Sequence, residues 1–335
     1  MKAIVYHNSG SGDVLKLEEI EKPVPKDDEV LIKVRAASVN PFDYHMLRHH
    51  WLRRVLATIA KVETSRPGRD VAGVISEGVK AVGRNVTQFK PGDEVFGACP
   101  GAFAEYVCAR ESDLAMKPHS VSFEQAASVP IAGLTALQGL RDKGQIQPGQ
   151  RVLINGAAGG VGTFAVQIAK SFGAEVTGVC STRNVEMVRS IGADKVIDYT
   201  RENFTSSGQH YDVFFDVVAN HSFSERRRVL TPRGIYIGAG ILGRSLSMIG
   251  LLTGGITESI LALFASQKFV SFMAKLNQKD LTAIGALMGE GTVTPVIDRR
   301  YGLSEAAEAV SYVEEGHARG KVIIDFVSQD ELSTA

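Results

Sequence analysis

The fold class follows from residues 152–166, which read VLINGAAGGVGTFAV. The stretch starts as a short apolar run typical of a buried strand, passes through a glycine-rich turn and continues as an apolar helix. Residues 157–162 form the pattern Ala-x-Gly-x-x-Gly, a variant of the dinucleotide-binding fingerprint with alanine at its first position. Glycine lets the backbone approach a pyrophosphate, whose charge the start of a helix attracts. We therefore expect a nucleotide phosphate here, although packing alone also produces such turns.

The sequence around this turn alternates between strand and helix patterns. Strands are predicted at 151–155, 175–180, 195–198, 213–217 and 234–238, and helices at 123–140, 162–172 and 184–191. Residues 261–276 predict one more helix and strand. Alternation of this kind indicates βαβ units, and hence a doubly wound parallel sheet with helices on both faces.

Both ends of the chain have a different pattern. Short β-like runs at 29–36, 71–76 and 104–108 are separated by Gly and Pro, and a helix is predicted within 44–60. Near the carboxyl end, helices at 280–288 and 304–315 precede a strand at 321–327. We expect an α/β protein with a discontinuous β-rich domain, 1–123 and 276–335, and a Rossmann domain of doubly wound parallel sheet, 124–275.

Composition excludes several functions. The 335 residues are 44% hydrophobic, and 37 Lys and Arg balance 37 Asp and Glu, so no basic field attracts nucleic acid or anionic membrane. Cys99, Cys108 and Cys180 form no C-x-x-C pair, which argues against a disulfide framework or a cysteine zinc lobe. No apolar run reaches the roughly 20 residues of a membrane span. We expect a cytoplasmic protein that acts on small molecules.

The strand after the glycine-rich turn predicts the type of cofactor. NAD-selective sites usually end this strand with Asp or Glu, which binds the ribose hydroxyls. Here the strand ends GVCSTRN at 178–184, and the acidic Glu175 lies at its other end. Ser181 and Arg183 instead supply a hydroxyl and a guanidinium suited to an adenosine 2′-phosphate. This pattern favours NADPH; in the alternative, Arg183 begins the next helix and faces solvent.

Six further motifs accompany the phosphate turn along the chain. They are VNPxD (39–43), PGxDxAG (67–73), KPGDxVFG (90–97), GxFAEY (101–106), AGLTA (132–136) and GHxRGK (316–321). In this order they resemble the medium-chain dehydrogenase/reductase superfamily, and within it the zinc-independent quinone oxidoreductases. The resemblance implies a GroES-like catalytic domain built from both chain ends, a Rossmann domain between them and an active site in the cleft where they meet.

The same resemblance bears on metal binding. Zinc alcohol dehydrogenases of this superfamily hold their catalytic metal with a cysteine, the histidine of a Gly-His-Glu motif and a second cysteine. The corresponding positions here are Asn40, Arg69 and Ile131, so no metal is expected. Three nearby histidines have no acidic or thiol partner at suitable spacing: His45, His49 and His50. Without a Lewis acid, hydride delivery to an already electrophilic quinone or α,β-unsaturated carbonyl is the easier reaction.

The Asn-Pro-x-Asp motif supplies the catalytic candidates. Asn40 is expected to hydrogen-bond the carbonyl oxygen of the acceptor, and Tyr44 to donate a hydrogen bond or proton. Asp43 belongs to the same group, although its carboxylate also suits the backbone N–H groups at the start of a helix. For Tyr44 the alternative is plain packing of an aromatic ring.

Cofactor contacts are expected from the phosphate turn and from positions that match the family. They are Thr135, Ala158, Gly159, Gly160, Val161, Gly162, Ser181, Arg183, Tyr199, Val218, Gly240, His317 and Arg319. Tyr199 also fits an exposed turn. His317 and Arg319 also fit a surface turn, because Gly316 and Gly320 flank them.

The sequence leaves other functions open. An NADPH-binding sensor or structural protein with little turnover would use the same fold. An aldehyde or alcohol dehydrogenase is the other alternative. From the family alone, we expect a homodimer formed by pairing edge strands of two Rossmann sheets, with 269–273 as the candidate strand.

Overall fold

The computed structural model describes residues 1–8, 10–48, 66–78, 80–239 and 266–326. The chain divides into two compact units, one of Met1–Leu134 with Leu276–Ala335 and the other of Thr135–Lys275. The first unit thus combines both ends of the chain. This division falls after Leu134, and the domain boundary predicted after residue 123 stays a prediction.

The secondary structure of the described residues alternates as the sequence indicates. The strands are β1 (Lys2–Val5), β2 (Lys16–Glu19), β3 (Glu29–Val39), β4 (Asp70–Ile75), β5 (Glu94–Ala98), β6 (Tyr106–Arg110), β7 (Leu114–Met116), β8 (Arg151–Asn155), β9 (Glu175–Cys180), β10 (Lys195–Asp198), β11 (Tyr211–Asp216), β12 (Leu230–Ala239), β13 (Lys268–Phe272), β14 (Ile297–Gly302) and β15 (Lys321–Asp325). The helices are α1 (Pro41–Arg48), α2 (Phe123–Ala127), α3 (Pro130–Gln138), α4 (Gly160–Ser171), α5 (Val185–Ser190), α6 (Phe223–Arg228), α7 (Gln278–Gly289) and α8 (Ala306–Glu314).

The first unit is built on a mixed sheet with the order β14-β15-β3-β4-β5-β7, and β6 also pairs with β3. The carboxyl-terminal strand β15 runs antiparallel to β3, with Val322 opposite Val39. On the other side of β3, Asp70 of β4 lies opposite Ser38. This register brings three distant segments to one end of β3, where the Asn-Pro-x-Asp motif begins.

The second unit is built on a parallel six-stranded sheet with the order β10-β9-β8-β11-β12-β13. The first strand of the unit, β8, lies between β9 and β11, so the winding direction reverses there. In open sheets of this type, ligands bind outside the carboxyl ends of the two strands at that reversal. The predicted α/β class with a doubly wound parallel sheet is confirmed.

The glycine-rich turn follows β8, and the structure corrects one position of the predicted pattern. Gly156 has a φ of +84°, which L-residues rarely adopt, and a Cβ there would lie 2.6 Å from Val217. The glycine of the tight turn is therefore Gly156, one residue before the alanine that the sequence pattern placed first. At Gly162 a Cβ would lie 2.0 Å from the Gly156 carbonyl oxygen, so this glycine lets α4 pack against the strand.

One predicted helix, 123–140, is wrong as a continuous element. Ser122 caps α2 through the Gln125 N–H, and α2 ends at Ala127. A second helix, α3, begins at Pro130 and ends at Gln138. Proline has no N–H to donate, and its ring disfavours a helical conformation at the preceding Val129, so the chain breaks there.

The other predicted elements agree with the structure within a few residues, where the structure describes them. The helix predicted within 44–60 begins earlier, at Pro41, and the part after residue 48 lies outside the described residues. In 261–276 the predicted strand is β13, which lies at the edge of the parallel sheet beside β12. The helix predicted there lies largely outside the described residues, and dimerisation through β13 stays a prediction. Within the described chain, no helix has the length and apolarity that crossing a bilayer requires.

Gly159 and Gly162, at the start of α4, yield a stability prediction. Gly162→Ala is expected to lower the free energy of unfolding by about 1–3 kcal/mol, because its Cβ would meet backbone atoms. Gly159→Ala is the control: its Cβ would meet only the Gly156 carbonyl oxygen, at 3.5 Å, so the loss is expected to stay below about 1 kcal/mol. Urea unfolding followed by circular dichroism measures both. Equal losses would contradict the packing role assigned to Gly162.

Candidate active site and cofactor site

The amino end of α4 has the features of an anion site. Gly159 is its cap residue, and none of the described side chains caps the helix. The first N–H groups of a helix have no partner within it, and they carry the positive end of its dipole. Gly160 and Val161 are partly exposed there, whereas Ala158 and Gly162 are buried. The predicted phosphate-loop residues therefore meet at the carboxyl end of β8, as a phosphate site requires.

A buried carboxylate shapes the neighbouring strand exit. Asp216 ends β11, and its Oδ1 accepts from Asn155 Nδ2 at 3.0 Å and from the N–H groups of Val218 and Ala219 at 3.0 and 2.9 Å. Tyr236 donates its hydroxyl to Asp216 Oδ2 at 3.1 Å. Sequence analysis missed Asp216, although polar residues that end adjacent parallel strands are a usable signal. The contacts fix the loop in which Val218 is 38% exposed, beside the phosphate turn.

The residues predicted to select the cofactor lie together at the ends of β9 and β10. Ser181 follows β9 and accepts from Asn184 Nδ2 at 3.2 Å, and Arg183 is exposed in the same turn. Tyr199 is 61% exposed, and its N–H donates to the Cys180 carbonyl oxygen at 3.0 Å, which fixes it next to Ser181.

An acidic residue, Asp198, lies at the same corner and was not predicted. It ends β10 opposite Cys180. Thr182 donates its hydroxyl to Asp198 Oδ2 at 2.5 Å, Thr200 donates to Oδ1 at 2.7 Å, and Arg201 lies 3.4 Å away. The hydrogen bond from Thr182 lowers the pKa of this carboxyl. Asp198 is thus already bound by two hydroxyls and one cation.

Other predicted cofactor contacts are distributed over both units. Thr135 lies in α3 and is partly buried. His317 and Arg319 are exposed in the turn between α8 and β15, and the Arg319 N–H donates to Asp298 at 2.9 Å. Gly316 and Gly320 have positive φ values of 75° and 80°, which supports the surface-turn alternative for this segment. Gly240 lies outside the described residues.

Asn40 is buried and makes all its side-chain hydrogen bonds within the first unit. Only 3% of its surface is exposed. Its Nδ2 donates to Asp70 Oδ2 at 3.0 Å and to the Ser38 carbonyl oxygen at 3.4 Å, and its Oδ1 accepts from Lys321 Nζ at 2.7 Å. Both amide hydrogens are therefore engaged. The predicted hydrogen bond to an acceptor requires one of them to be released.

Asp43 closes the turn that starts α1. Its carboxylate accepts from the Asn40 N–H at 2.8 Å and from the Gly68 N–H at 3.2 Å. Gly68 has a φ of +89°, and a Cβ there would meet Phe103. Burial raises the pKa of Asp43 to about 6, and the negative charge of Asp70 adds to the increase. These contacts support the structural alternative for Asp43.

Tyr44 is half-buried. Its ring packs against the hydrophobic core and lies 4.3 Å from the His45 ring, centroid to centroid. Burial, followed by the charge of Glu314, raises the pKa of its hydroxyl. The hydroxyl therefore stays protonated near neutral pH and can donate. The ring contacts support packing as a role of Tyr44, and proton donation stays a prediction.

Sequence analysis missed a buried ion pair beside Asn40. Asp70 is fully buried, and it accepts from the Ser38 hydroxyl at 3.0 Å and from the Ile131 N–H at 3.1 Å. Lys321 Nζ lies 3.6 Å from Asp70 Oδ2. Burial raises the pKa of Asp70 and lowers that of Lys321, while each charge counteracts the shift in its partner. Both residues lie in the motifs given above, and each is the first residue of a largely apolar strand. A charged residue in that position was the available signal.

Comparison with known proteins identifies the family. The model of the alcohol dehydrogenase GroES-like domain matches residues 26–119, and the model described as zinc-binding dehydrogenase matches 191–324. The 2-methylene-furan-3-one reductase of Solanum lycopersicum is 36% identical over 97% of this chain and 79% of its own length. The NADPH-dependent alkenal/one oxidoreductase, chloroplastic, of Arabidopsis thaliana has the same identity and coverage. The quinone oxidoreductase of Coxiella burnetii, a solved structure, is 31% identical, with a TM-score of 0.85 over 98% of this chain and 99% of its own.

The chain belongs to the medium-chain dehydrogenase/reductase superfamily, in its quinone oxidoreductase-like family. The resemblance inferred from the sequence motifs is confirmed. So is the GroES-like nature of the β-rich domain, which the match at 26–119 supports. As a member of this family, the chain shares the oxidoreductase fold, with one nucleotide-binding sheet and one GroES-like sheet.

The residues at the family's zinc positions do not suit zinc. Asn40 offers an amide already bound to an ammonium, Ile131 offers an N–H that donates to Asp70, and the Arg69 guanidinium lies 5.0 Å from the centre of the Phe42 ring. Zinc sites use thiolate, imidazole or carboxylate ligands. In the part of the chain that the structure describes, no group of three or more His, Cys, Asp or Glu could hold a metal ion. The match to the zinc-binding dehydrogenase model spans none of the three positions.

The raised pKa of Asp43 predicts a pH effect on stability. Because the folded protein holds this proton more tightly than the unfolded chain, the stabilisation is present below pH 4 and is lost as the pH rises through about 6. The difference between about 6 and the ordinary 3.8 corresponds to roughly 3 kcal/mol. Urea unfolding of the wild type and of Asp43→Asn from pH 4 to 7 measures the effect.

Asp43→Asn removes the ionisable group and serves as the reference for this measurement. The free energy of unfolding of the wild type, minus that of the variant, is expected to fall across this pH range. Parallel pH profiles for the two proteins would show that Asp43 does not titrate in the way that its burial requires.

Proposed function

We propose that this protein is an NADPH-dependent reductase that transfers a hydride to quinones or α,β-unsaturated carbonyls without zinc. The observation that carries the proposal is the amino end of α4, where a glycine cap leaves N–H groups at the reversal point of a parallel sheet. The relatives supply the acceptor class: a furanone reductase, an alkenal/one oxidoreductase and a quinone oxidoreductase.

The choice of NADPH over NADH rests on the ends of β9 and β10. Ser181 accepts one hydrogen bond from Asn184, which leaves its own hydroxyl hydrogen to donate. Arg183 is exposed two residues later. The nearby carboxylate, Asp198, is engaged by Thr182, Thr200 and Arg201, so it is not available in the role of the ribose-binding acid of NAD enzymes. A phosphate on the adenosine 2′-oxygen complements the Ser181 and Arg183 side chains.

Acceptor chemistry follows from the side chains at the zinc positions. An amide, a guanidinium and an aliphatic chain cannot lower the pKa of an alcohol as a metal does. An acceptor that is already electrophilic needs no such activation. When bound, NADPH supplies a hydride from C4 of its nicotinamide ring. The reduced acceptor then requires one proton, from water or from a hydroxyl such as that of Tyr44, to yield the saturated carbonyl or the hydroquinone.

The roles of the motif residues are part of this proposal. Tyr44 keeps its proton near neutral pH, as a donor requires, since a tyrosine hydroxyl ordinarily has a pKa of 10.0 and burial raises the pKa further. Asn40 and Asp43 hold the turn between β3 and α1 through their hydrogen bonds. We assign Asp43 a structural role and Asn40 a role in fixing this turn, with contact to the acceptor as the finer prediction.

Two expectations about the protein's surroundings complete the proposal. The site takes a small molecule, and pairing through the edge strand β13 gives a homodimer. The cytoplasm is the location that we propose; the Arabidopsis relative is chloroplastic by name.

The proposed reaction is tested by following NADPH absorbance with a panel of quinones, enones, aldehydes and alcohols. Oxidation of NADPH by quinones or enones is expected, with turnover unchanged by a metal chelator. Cofactor binding without oxidation by any acceptor would favour a sensor or structural protein. Chelator-sensitive turnover of aldehydes or alcohols would instead favour a zinc dehydrogenase.

Cofactor selectivity has its own test in Arg183→Ala. Loss of one charge-assisted hydrogen bond to the 2′-phosphate is expected to raise the KM for NADPH about ten- to a hundredfold and to leave the KM for NADH unchanged. Arg189→Ala is the matched control, since Arg189 is an exposed arginine of α5 that pairs with Glu186 at 2.7 Å. Equal use of NADH and NADPH by the wild type, with no effect of Arg183→Ala, would refute the assignment.

A further inference from the structure

A lysine of the last strand occupies an unusual position next to the Asn-Pro-x-Asp motif. Lys321 is the first residue of β15, and the antiparallel register that sets Val322 opposite Val39 brings Lys321 beside Asn40. Only 3% of its surface is exposed. A buried ammonium is costly unless charges and hydrogen-bond acceptors surround it. Lys321 has three: Asn40 Oδ1 at 2.7 Å, the Val39 carbonyl oxygen at 3.5 Å and Asp70 Oδ2 at 3.6 Å.

The ammonium determines the orientation of the Asn40 amide. A side-chain amide has one oxygen that accepts and one nitrogen that donates, and rotation by half a turn exchanges them. With Lys321 on one side and the Asp70 carboxylate on the other, only one orientation is favourable: oxygen to the ammonium and nitrogen to the carboxylate. The reverse orientation would place donor against donor and acceptor against acceptor. The Lys321–Asp70 pair therefore locks the side chain.

The same pair reaches the first turn of α3. Asp70 Oδ2 accepts from Asn40 and Ser38, while Oδ1 accepts from the Ile131 N–H. A carboxylate at the amino end of a helix satisfies one of its unpaired N–H groups and interacts favourably with its dipole. Thr135, a predicted cofactor contact, lies in this helix one turn further on. Asp70 thus links the turn before α1 to the start of α3.

We propose that Lys321 is a positioning residue of the reductase: its ammonium fixes the Asn40 amide and, through Asp70, the first turn of α3. It places an ammonium against Asn40, one of the residues that stand where zinc-binding members hold their metal. The inference rests on the proposed reductase function. It concerns residues that act through others, since Lys321 itself is buried and does not touch the acceptor.

The test compares Lys321→Met with a matched variant, Lys117→Met. Lys117 is also a buried lysine of the first unit, 6% exposed, and its Nζ contacts the Val121 carbonyl oxygen at 2.7 Å and Glu94 at 2.9 Å. Both substitutions remove a buried ammonium and are expected to lower the urea midpoint of unfolding. Kinetics are measured with NADPH and an accepted enone or quinone, well below the unfolding temperature of each variant.

A positioning role predicts a specific kinetic pattern. Lys321→Met is expected to lower kcat about ten- to a hundredfold, as small displacements of active-site groups do, with the KM for NADPH unchanged. Lys117→Met is expected to keep the wild-type kcat. Equal kcat values for the two folded variants would show that Lys321 serves stability alone and would overturn the inference.

A spectroscopic measurement separates the inference from the proposed function. The side-chain amide of Asn40, assigned by its loss in Asn40→Ala, is expected to exchange slowly with solvent in the wild type and in Lys117→Met, and rapidly in Lys321→Met. Slow exchange in Lys321→Met would overturn the positioning role. If none of the tested acceptors supports NADPH oxidation by the wild type, the proposed function fails. The amide signal still decides whether Lys321 orients Asn40.

Discussion

The buried carboxylate of Asp70 holds together the part of the protein on which the proposed chemistry depends. It accepts hydrogen bonds from Ser38, Asn40 and the Ile131 backbone, and it faces the ammonium of Lys321. These groups come from four segments: β3, the residue after it, the start of α3 and the start of β15. A buried charge of this kind is stable only while its partners are in place. Asp70 therefore requires both ends of the chain to meet.

The same contacts bear on the proposed absence of zinc. An amide, a guanidinium and an aliphatic side chain stand at the positions where zinc-binding members hold a metal, and the ammonium of Lys321 binds the amide. Because a lysine ammonium cannot polarise a substrate oxygen as a Lewis acid does at this depth, the protein suits acceptors that are electrophilic on their own. Under the proposed function, the chain shares its fold with zinc-binding relatives and differs from them in chemistry.

In the second unit, the proposed phosphate site consists of backbone groups rather than side chains. Gly156 makes the tight turn, Gly162 allows α4 to approach β8, and Gly159 caps the helix without a side chain. Asp216 then fixes the adjacent loop through two backbone N–H groups. Side chains matter at the proposed adenosine end, where we assign the choice between the two nicotinamide cofactors to Ser181 and Arg183.

Agreement between sequence and structure is closest where local pattern is sufficient. The strands 151–155, 175–180 and 195–198 were predicted with the bounds that the structure has, since apolar runs between turn residues mark buried parallel strands. The prediction of one helix over 123–140 was wrong. The apolar periodicity continued across Pro130, although a proline cannot continue a helix from Val129. The first turn glycine was placed one residue late, since the fingerprint gives spacing and not φ.

By itself, the sequence determined the parallel nucleotide-binding sheet, the phosphate turn, the missing acid after β9 and the family, all of which are encoded in short motifs and their order. Only the tertiary structure decided what the polar residues of those motifs do. Asn40 and Lys321 lie 281 positions apart, and they meet because β15 pairs with β3 in one register. A buried polar group takes its partners from whichever strands the register brings beside it, and no local pattern specifies that choice.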